Sequence, residues 1–327
     1  MNPGAWPVTI DDVRAARERI RPHLPPTPLR HYPALDAAVG HGVRAWVKHE
    51  NHNPTCAFKV RNALAVLTAM GEEEKRRGVV AATRGNHGLG LAWAGARLGV
   101  PVTVVVPRAN NPEKNEGVRS LGATLVEEGR DYDEAVAVAD RLVKERGFTL
   151  VHSTNHPQVV AGAGTLALEI LEEKPDVDAL VLSVGGGSQA VGALTVVRAL
   201  HSDARVYGVQ AAGAPAIHDA WHSGETKGSA SADTFADGLA TRGVYPFTFG
   251  TLREGLAGFV KVADGEIAEA LRLLLRTTHS LVEGAGAAGL AGLMALGETL
   301  AGRSVAIVLS GGNIDQDTLR RVLAREI

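Results

Sequence analysis

A chain of 327 residues, 45% hydrophobic and 21% charged, has the length and composition of a globular protein with two domains of ordinary size. Its net charge of -2 at pH 7 gives no reason to expect nucleic acid or an anionic membrane surface as partner, and its single cysteine, Cys56, excludes an intrachain disulfide. The first ten residues lack the basic start and apolar core of a signal peptide, and the longest apolar runs are strand-sized, so a cytoplasmic protein without a membrane span is expected.

The first informative segment is Pro54-Thr55-Cys56-Ala57-Phe58-Lys59-Val60-Arg61-Asn62, a turn that leads into a helical stretch over 63–70. Lys59 is flanked by Ala57, Phe58 and Val60. An amine in apolar company is desolvated; its pKa falls and it becomes a nucleophile suited to a Schiff base. The plainer reading is a lysine at a helix start that reaches solvent. Cys56 reads as a small core residue. Further along, Val/Ile/Leu/Ala-rich runs at 79–82, 102–106, 123–126, 149–151, 179–184, 206–209 and 305–309 predict strands. Between and after them, helical periodicity covers 87–98, 115–121, 133–146, 164–172, 191–200, 266–280 and 283–296. Continuous apolar runs of this length suit strands buried on both faces, and their alternation with helices predicts an α/β fold built on open parallel sheets. Residues 79–153 read as one compact block, and the strands after 179 belong to another sheet, which fits a small domain inserted in a larger one. Residues 221–232 read as a mobile surface loop. His49, His52, His87, His152 and His156 have no spacing that suits a zinc site.

Glycine-rich turns fall at strand ends, where open parallel sheets bind their ligands. Thr83-Arg84-Gly85-Asn86-His87-Gly88 follows a strand and opens a helix, so its free amides and the Asn86 side chain suit a carboxylate and a hydroxyl; an ordinary helix cap is the alternative. Gly185-Gly186-Gly187-Ser188 reads as a phosphate cradle or, more plainly, as a tight turn. It lacks the Lys-Ser/Thr of a nucleotide P-loop and the dinucleotide spacing, which points to the phosphate of a small cofactor. Glu283, in the apolar Val282-Glu283-Gly284-Ala285-Gly286 run, must be paired, hydrogen-bonded or neutral if buried. Ser310, in Ser310-Gly311-Gly312-Asn313, can bond a ring nitrogen or serve as a turn residue.

Taken in order, these segments resemble the fold-type II family of pyridoxal-phosphate (PLP) enzymes, in its serine/threonine dehydratase and serine racemase branch. The resemblance also covers Thr27-Pro28-Leu29, Lys48-His49-Glu50-Asn51, Ala161-Gly162-Ala163-Gly164-Thr165 and Ala236-Asp237-Gly238. It implies a tryptophan synthase β-like architecture of two open, twisted parallel-sheet domains with the cofactor between them. Residues 1–75 and 154–327 would form the large PLP-binding domain, and 76–153 the small one. Lys59 would carry the Schiff base and shuttle the α-proton, and Phe58 would pack near the ring. Asn86 would bond the ring oxygen, Gly185, Gly186, Gly187 and Ser188 the phosphate, and Ser310 the ring nitrogen. Glu283 would lie beside the cofactor, with Thr83, Arg84, Gly85 and His87 toward the substrate. The implied reaction is β-elimination from a β-hydroxy-α-amino acid to a 2-keto acid and ammonia, with the hydroxyl protonated by the cofactor phosphate or a nearby acid. Alternatives are a β-replacement synthase or an amino-acid racemase on the same fold, and outside this chemistry a silent binding protein or a nucleotide-binding protein.

Departures from the family pattern refine this reading. Arg84 stands where racemases place a serine base; a guanidinium does not readily give up a proton, so elimination is favoured, and Arg84 either pairs with a substrate carboxylate or faces solvent. Gln210 and Ala216 replace the carboxylates that bind a divalent cation in many relatives, so no metal is expected. Ala57 and Ser188 replace the usual serine and glycine, as in a subgroup that includes hydroxyectoine-utilisation dehydratases, and point to an unusual β-hydroxy amino acid as substrate. With the sequence ending at Ile327, no isoleucine-sensing regulatory domain is expected. A homodimer with a small amino acid as its partner completes the expectation.

Overall fold

The computed structural model describes residues 6–229 and 231–327; residues 1–5 and 230 lie outside the described set, and with them half of the N-terminal stretch and one position of the 221–232 segment. Ten strands form two sheets: β1 (Leu29–His31), β2 (Arg44–Lys48), β3 (Val79–Ala82), β4 (Val102–Val106), β5 (Thr124–Glu127), β6 (Thr149–Leu150), β7 (Ala179–Ser183), β8 (Arg205–Ala211), β9 (Gly258–Val262) and β10 (Ser304–Val308). The larger sheet runs β1-β2-β10-β7-β8-β9 and the smaller β5-β4-β3-β6. Every neighbouring pair is parallel except β1 with β2, which is antiparallel.

The central strands are apolar throughout because both faces are covered. In β7, Leu180 and Leu182 face one core while Ala179 and Val181 face another. β10 alternates likewise, Ala306 and Val308 against Val305 and Ile307. The first core runs from Val79, Ala81 and Val104 of the small sheet to the large sheet without a break. A smaller core packs Ala135, Val138 and Leu142 on the outer face of the small sheet.

Three strands have no counterpart among the apolar runs read from the sequence. β1 and β9 are the two edges of the large sheet, and each is only partly buried. β2 ends in a charge, Lys48, which is fully buried because Glu169 and the Thr27 carbonyl accept its ammonium hydrogens at 2.6 and 2.7 Å. The segment expected to be a loop from 221 starts inside a helix, Ala216–Ser223; Trp221 Nε1 donates to the Leu252 carbonyl (3.1 Å) and holds that end down. Cys56 is exposed rather than in the core. Its φ of +51° puts it in a left-handed turn whose N–H donates to Asn53 and whose carbonyl accepts from Gly312, so the side chain projects outward.

Two glycines set the position of the Lys59–Ala69 helix. A Cβ on Gly90 would lie 2.8 Å from the Lys59 carbonyl oxygen, and one on Gly162 would lie 2.7 Å from that of Arg61. The helices Asn86–Leu98 and Pro157–Glu173 therefore press backbone to backbone on the first turn of the lysine helix. The turns after β3, β7 and β10 converge at the carboxyl ends of their strands, the usual ligand side of a parallel sheet.

Candidate active site

A cavity of about 470 Å³ lies between the sheets, and every site residue expected from the sequence lines it: Phe58, Lys59, Thr83, Arg84, Gly85, Asn86, His87, Gly185, Gly186, Gly187, Ser188, Glu283 and Ser310. Lys59 is the first residue of its helix. The preceding backbone is stitched to the end of β10, with Phe58 N–H donating to the Ser310 carbonyl (3.0 Å) and Ala57 bridging to Gly311. Lys59 Nζ donates to the Ser153 carbonyl (3.3 Å) and sits 4.8 Å from the Phe58 ring centre. Burial lowers its pKa to about 8, against the opposing pull of Glu283.

Asn86 and Glu283 form one unit. Asn86 Nδ2 donates to Glu283 Oε1 (2.6 Å), and Asn86 Oδ1 accepts from Asn313 Nδ2 (2.7 Å). Glu283 is buried; desolvation raises its pKa, while Lys114 and the Asn86 bond hold it down. Ser310 is buried, and its Oγ donates weakly to the Ala285 carbonyl (3.3 Å). On the other wall, Gly187 caps the helix Ser188–Ala199 with φ +97°, a conformation that favours glycine. A Cβ on Gly186 would fall 2.0 Å from Thr154 Oγ1, and one on Gly185 2.2 Å from the Gly238 carbonyl oxygen.

Residues 20–311 match the family of pyridoxal-phosphate dependent enzymes. The chain belongs to that family. It is 35% identical to the L-threonine ammonia-lyase of Thermotoga maritima over 97% of this chain and 78% of that protein. It is also 35% identical to an L-threo-3-hydroxyaspartate ammonia-lyase from Pseudomonas, over 93% of this chain and 95% of that one. Among solved structures, maize serine racemase superposes with a TM-score of 0.92 at 28% identity, covering 98% of both chains. A pyridoxal 5'-phosphate-dependent aspartate racemase superposes at 0.91 with 32% identity, over 96% of this chain and 98% of that one.

The cavity fits the pyridoxal-phosphate group of this family. A desolvated lysine suits its aldehyde, and a glycine turn at a helix start, closed to any Cβ, offers backbone N–H groups to a phosphate. Beside that turn the Gln189 amide is buried and lines the cavity with neither its oxygen nor its nitrogen partnered. Arg84 is exposed at the wall and makes no ion pair or hydrogen bond among the described residues. His87 is buried, and its Nε2 is taken up by the Val151 carbonyl (2.9 Å). Burial and the Lys59 charge lower its pKa to about 3, so it is neutral.

Several residues of the site escaped the sequence reading. Lys114 reaches across the cavity to pair with Asp237, joining the helix Pro112–Ser120 to the 237–243 segment. Burial alone would lower the Lys114 pKa; Asp237 outweighs it and raises it. Tyr132, His152 and Tyr245 also line the cavity. Beneath Lys59, Arg61 donates to Glu50 at 2.8 and 3.0 Å and to Glu169 at 2.6 and 2.8 Å. The charges of Lys48, Glu50 and Arg61 were visible in the family segments; that they face one another depends on packing. Gln210 is buried with Oε1 accepting the His218 N–H (2.9 Å), and Ala216 begins a helix. Among the described residues no three His, Cys, Asp or Glu side chains are grouped to hold a metal, and no helix is long and apolar enough to cross a membrane.

Proposed function

We propose that the protein is a PLP-dependent ammonia-lyase that converts a β-hydroxy-α-amino acid to a 2-keto acid and ammonia by β-elimination. The observation that carries this reading is the half-buried Lys59 amine, with a pKa near 8, facing a closed glycine turn across one cavity. Bound there, pyridoxal phosphate supplies the sink for the electrons left when the α-proton departs. Gly185, Gly186, Gly187 and Ser188 would hold its phosphate, Asn86 Nδ2 its ring oxygen and Ser310 Oγ its ring nitrogen, with Phe58 against the ring and Glu283 bracing Asn86. A neutral hydroxyl at the ring nitrogen does not stabilise a positive charge there, which suits elimination. Lys59 Nζ takes the α-proton. The Thr83–His87 turn receives the substrate carboxylate on its free amides and beside Arg84. Because Arg84 is not a base, Lys59 acts alone, and elimination is favoured over racemisation.

The finer assignments rest on the same resemblance. Residues 76–153, which contain β3 to β6, are proposed as a small domain inserted in the large one. Gln210 and Ala216 remove the carboxylates a hard cation needs, so the enzyme is proposed to work without a divalent metal. A cytoplasmic homodimer is the proposed assembly.

The test is a panel of serine, threonine and threo-3-hydroxyaspartate given to the holoenzyme, with 2-keto acid and ammonia measured together. We expect both products in equal amounts, the same rate with added Mg²⁺ or with chelator, and a loss of at least about 10²–10⁴-fold in Lys59→Ala. Recovery of racemised substrate, or of a β-substituted adduct when a thiol is supplied, with no keto acid would replace this reading by one of its rivals.

A further inference from the structure

We propose that His152 is a specificity-determining hydrogen-bond donor for the β-hydroxyl of the substrate, locked in its donor tautomer by the loop it caps. The inference rests on the elimination reading above. His152 follows β6 and lines the cavity. Its Nδ1 accepts the backbone N–H of Thr154 (3.0 Å) and of Asn155 (2.9 Å). A ring nitrogen that accepts carries no proton, so the neutral ring bears its proton on Nε2. Among the described residues nothing takes up that Nε2, and it is not one of the buried polar atoms sealed from solvent.

The ring is held in place. Tyr245 packs edge-on against it, with centroids 5.7 Å apart at 72°. The next residue, Ser153, accepts the hydrogen bond of Lys59 Nζ, so base and donor share one wall. Burial, the Lys59 charge and His156 all lower the imidazole pKa. The ring therefore stays neutral near pH 7 and offers a directed N–H rather than an acid. Arg84, the other candidate on the substrate side, is exposed, whereas His152 is half-buried beside the base.

Hydroxide is a poor leaving group, and a fixed donor on the departing oxygen stabilises the charge that develops there. Lys59 Nζ takes the proton from Cα, and the Cα–H electron pair becomes the second Cα–Cβ bond. The Cβ–O pair leaves with the oxygen, which collects the proton from Lys59 Nζ and departs as water. His152 keeps its own proton throughout and fixes the direction in which the oxygen leaves.

Two variants separate this role from loop support. His152→Asn retains an acceptor near the Nδ1 position, so the cap on Thr154 and Asn155 survives, but it has no group at Nε2. His152→Gln returns an N–H near Nε2. The holoenzymes are compared on the β-hydroxy-α-amino acid that the wild type turns over fastest and on β-chloroalanine, whose chloride leaves without a donor. For His152→Asn we expect kcat on the hydroxy substrate to fall about 10²–10³-fold but less than about tenfold on β-chloroalanine, with partial recovery in His152→Gln. Equal losses on both substrates, or no loss on the hydroxy substrate, would overturn the proposal. Nitrogen NMR of ¹⁵N-histidine protein, with His152 identified by its disappearance in the Asn variant, is expected to show the Nε2–H tautomer at neutral pH; an Nδ1–H tautomer or a charged ring would also overturn it. A wild type that eliminates from neither substrate sinks the elimination reading itself, an outcome distinct from the failure of His152 alone.

Discussion

Lys59 and Arg84 show how burial decides what a charged side chain does. Both are cationic residues in the cavity wall, but Lys59 is shielded and Arg84 is exposed. The Lys59 pKa of about 8 has a direct consequence for cofactor capture, because only the neutral amine attacks an aldehyde. Below that value the neutral fraction falls about tenfold per pH unit. The rate at which the apoenzyme rebinds pyridoxal phosphate is therefore expected to rise with pH and level off above about 8, followed by absorbance; a rate still climbing about tenfold per unit from pH 8 to about pH 10 would contradict a desolvated amine. Arg84 is free to meet a substrate carboxylate. Arg84→Ala is expected to raise KM for threo-3-hydroxyaspartate about 10–100-fold, and less for serine. An identical substrate profile in wild type and variant would return Arg84 to the solvent.

At the scale of the element, the glycine turn at 185–187 is specified by space as well as by backbone conformation. Gly187 needs its positive φ; Gly185 and Gly186 need the absence of a side chain. In Gly186→Ala the new methyl meets Thr154 Oγ1 at 2.0 Å and Thr154 Cβ at 2.9 Å, so the turn or the 153–156 segment must move. Because the Ser153 carbonyl holds Lys59 Nζ, that movement is felt at both ends of the cavity. The variant is expected to fold but to lose cofactor affinity by about tenfold or more, the equivalent of one hydrogen bond to a charged group. Fluorescence titration of apoenzyme with pyridoxal phosphate measures this. An unchanged Kd would mean that the turn does not carry the phosphate.

Across the whole molecule, a buried charge network ties the site to the core. Arg61, two residues beyond Lys59, joins Glu50 after β2 and Glu169 on the Pro157–Glu173 helix, and Lys48 completes the set. Thr27 Oγ1 donates to Glu50 Oε1 (2.6 Å). Burial alone would lower the Arg61 pKa and raise that of Glu50; their mutual attraction outweighs it and reverses both. Arg61→Met leaves two carboxylates facing only Lys48 and is expected to cost about 3–5 kcal/mol in urea unfolding, with Arg61→Lys in between. A loss below about 1 kcal/mol would show that the pair is no better than a surface salt bridge. The Lys114–Asp237 pair adds a second tie, across the mouth of the cavity rather than beneath it.

The sequence by itself determined the parts that local chemistry dictates. Apolar runs at β3, β4, β7 and β10 read as strands covered on both faces, and the glycines at 185–187 serve close approach or positive φ. The ordered motifs then placed Lys59, Asn86, Glu283 and Ser310 around one cavity. Three things were out of reach of a reading along the chain. Edge strands β1 and β9 are half-exposed and lack a continuous apolar signal. Lys48, Glu50 and Arg61 look like surface charges until Arg61 pairs with Glu50 and Glu169, more than a hundred residues away, pairs with both Lys48 and Arg61. His152, just past the 149–151 run, and Lys114 carry no motif of their own, and only the approach of the two sheets turns them toward the cavity. Periodicity and turn chemistry are local and therefore legible, whereas neutralising a buried charge or aiming a side chain depends on partners that only the folded chain brings together.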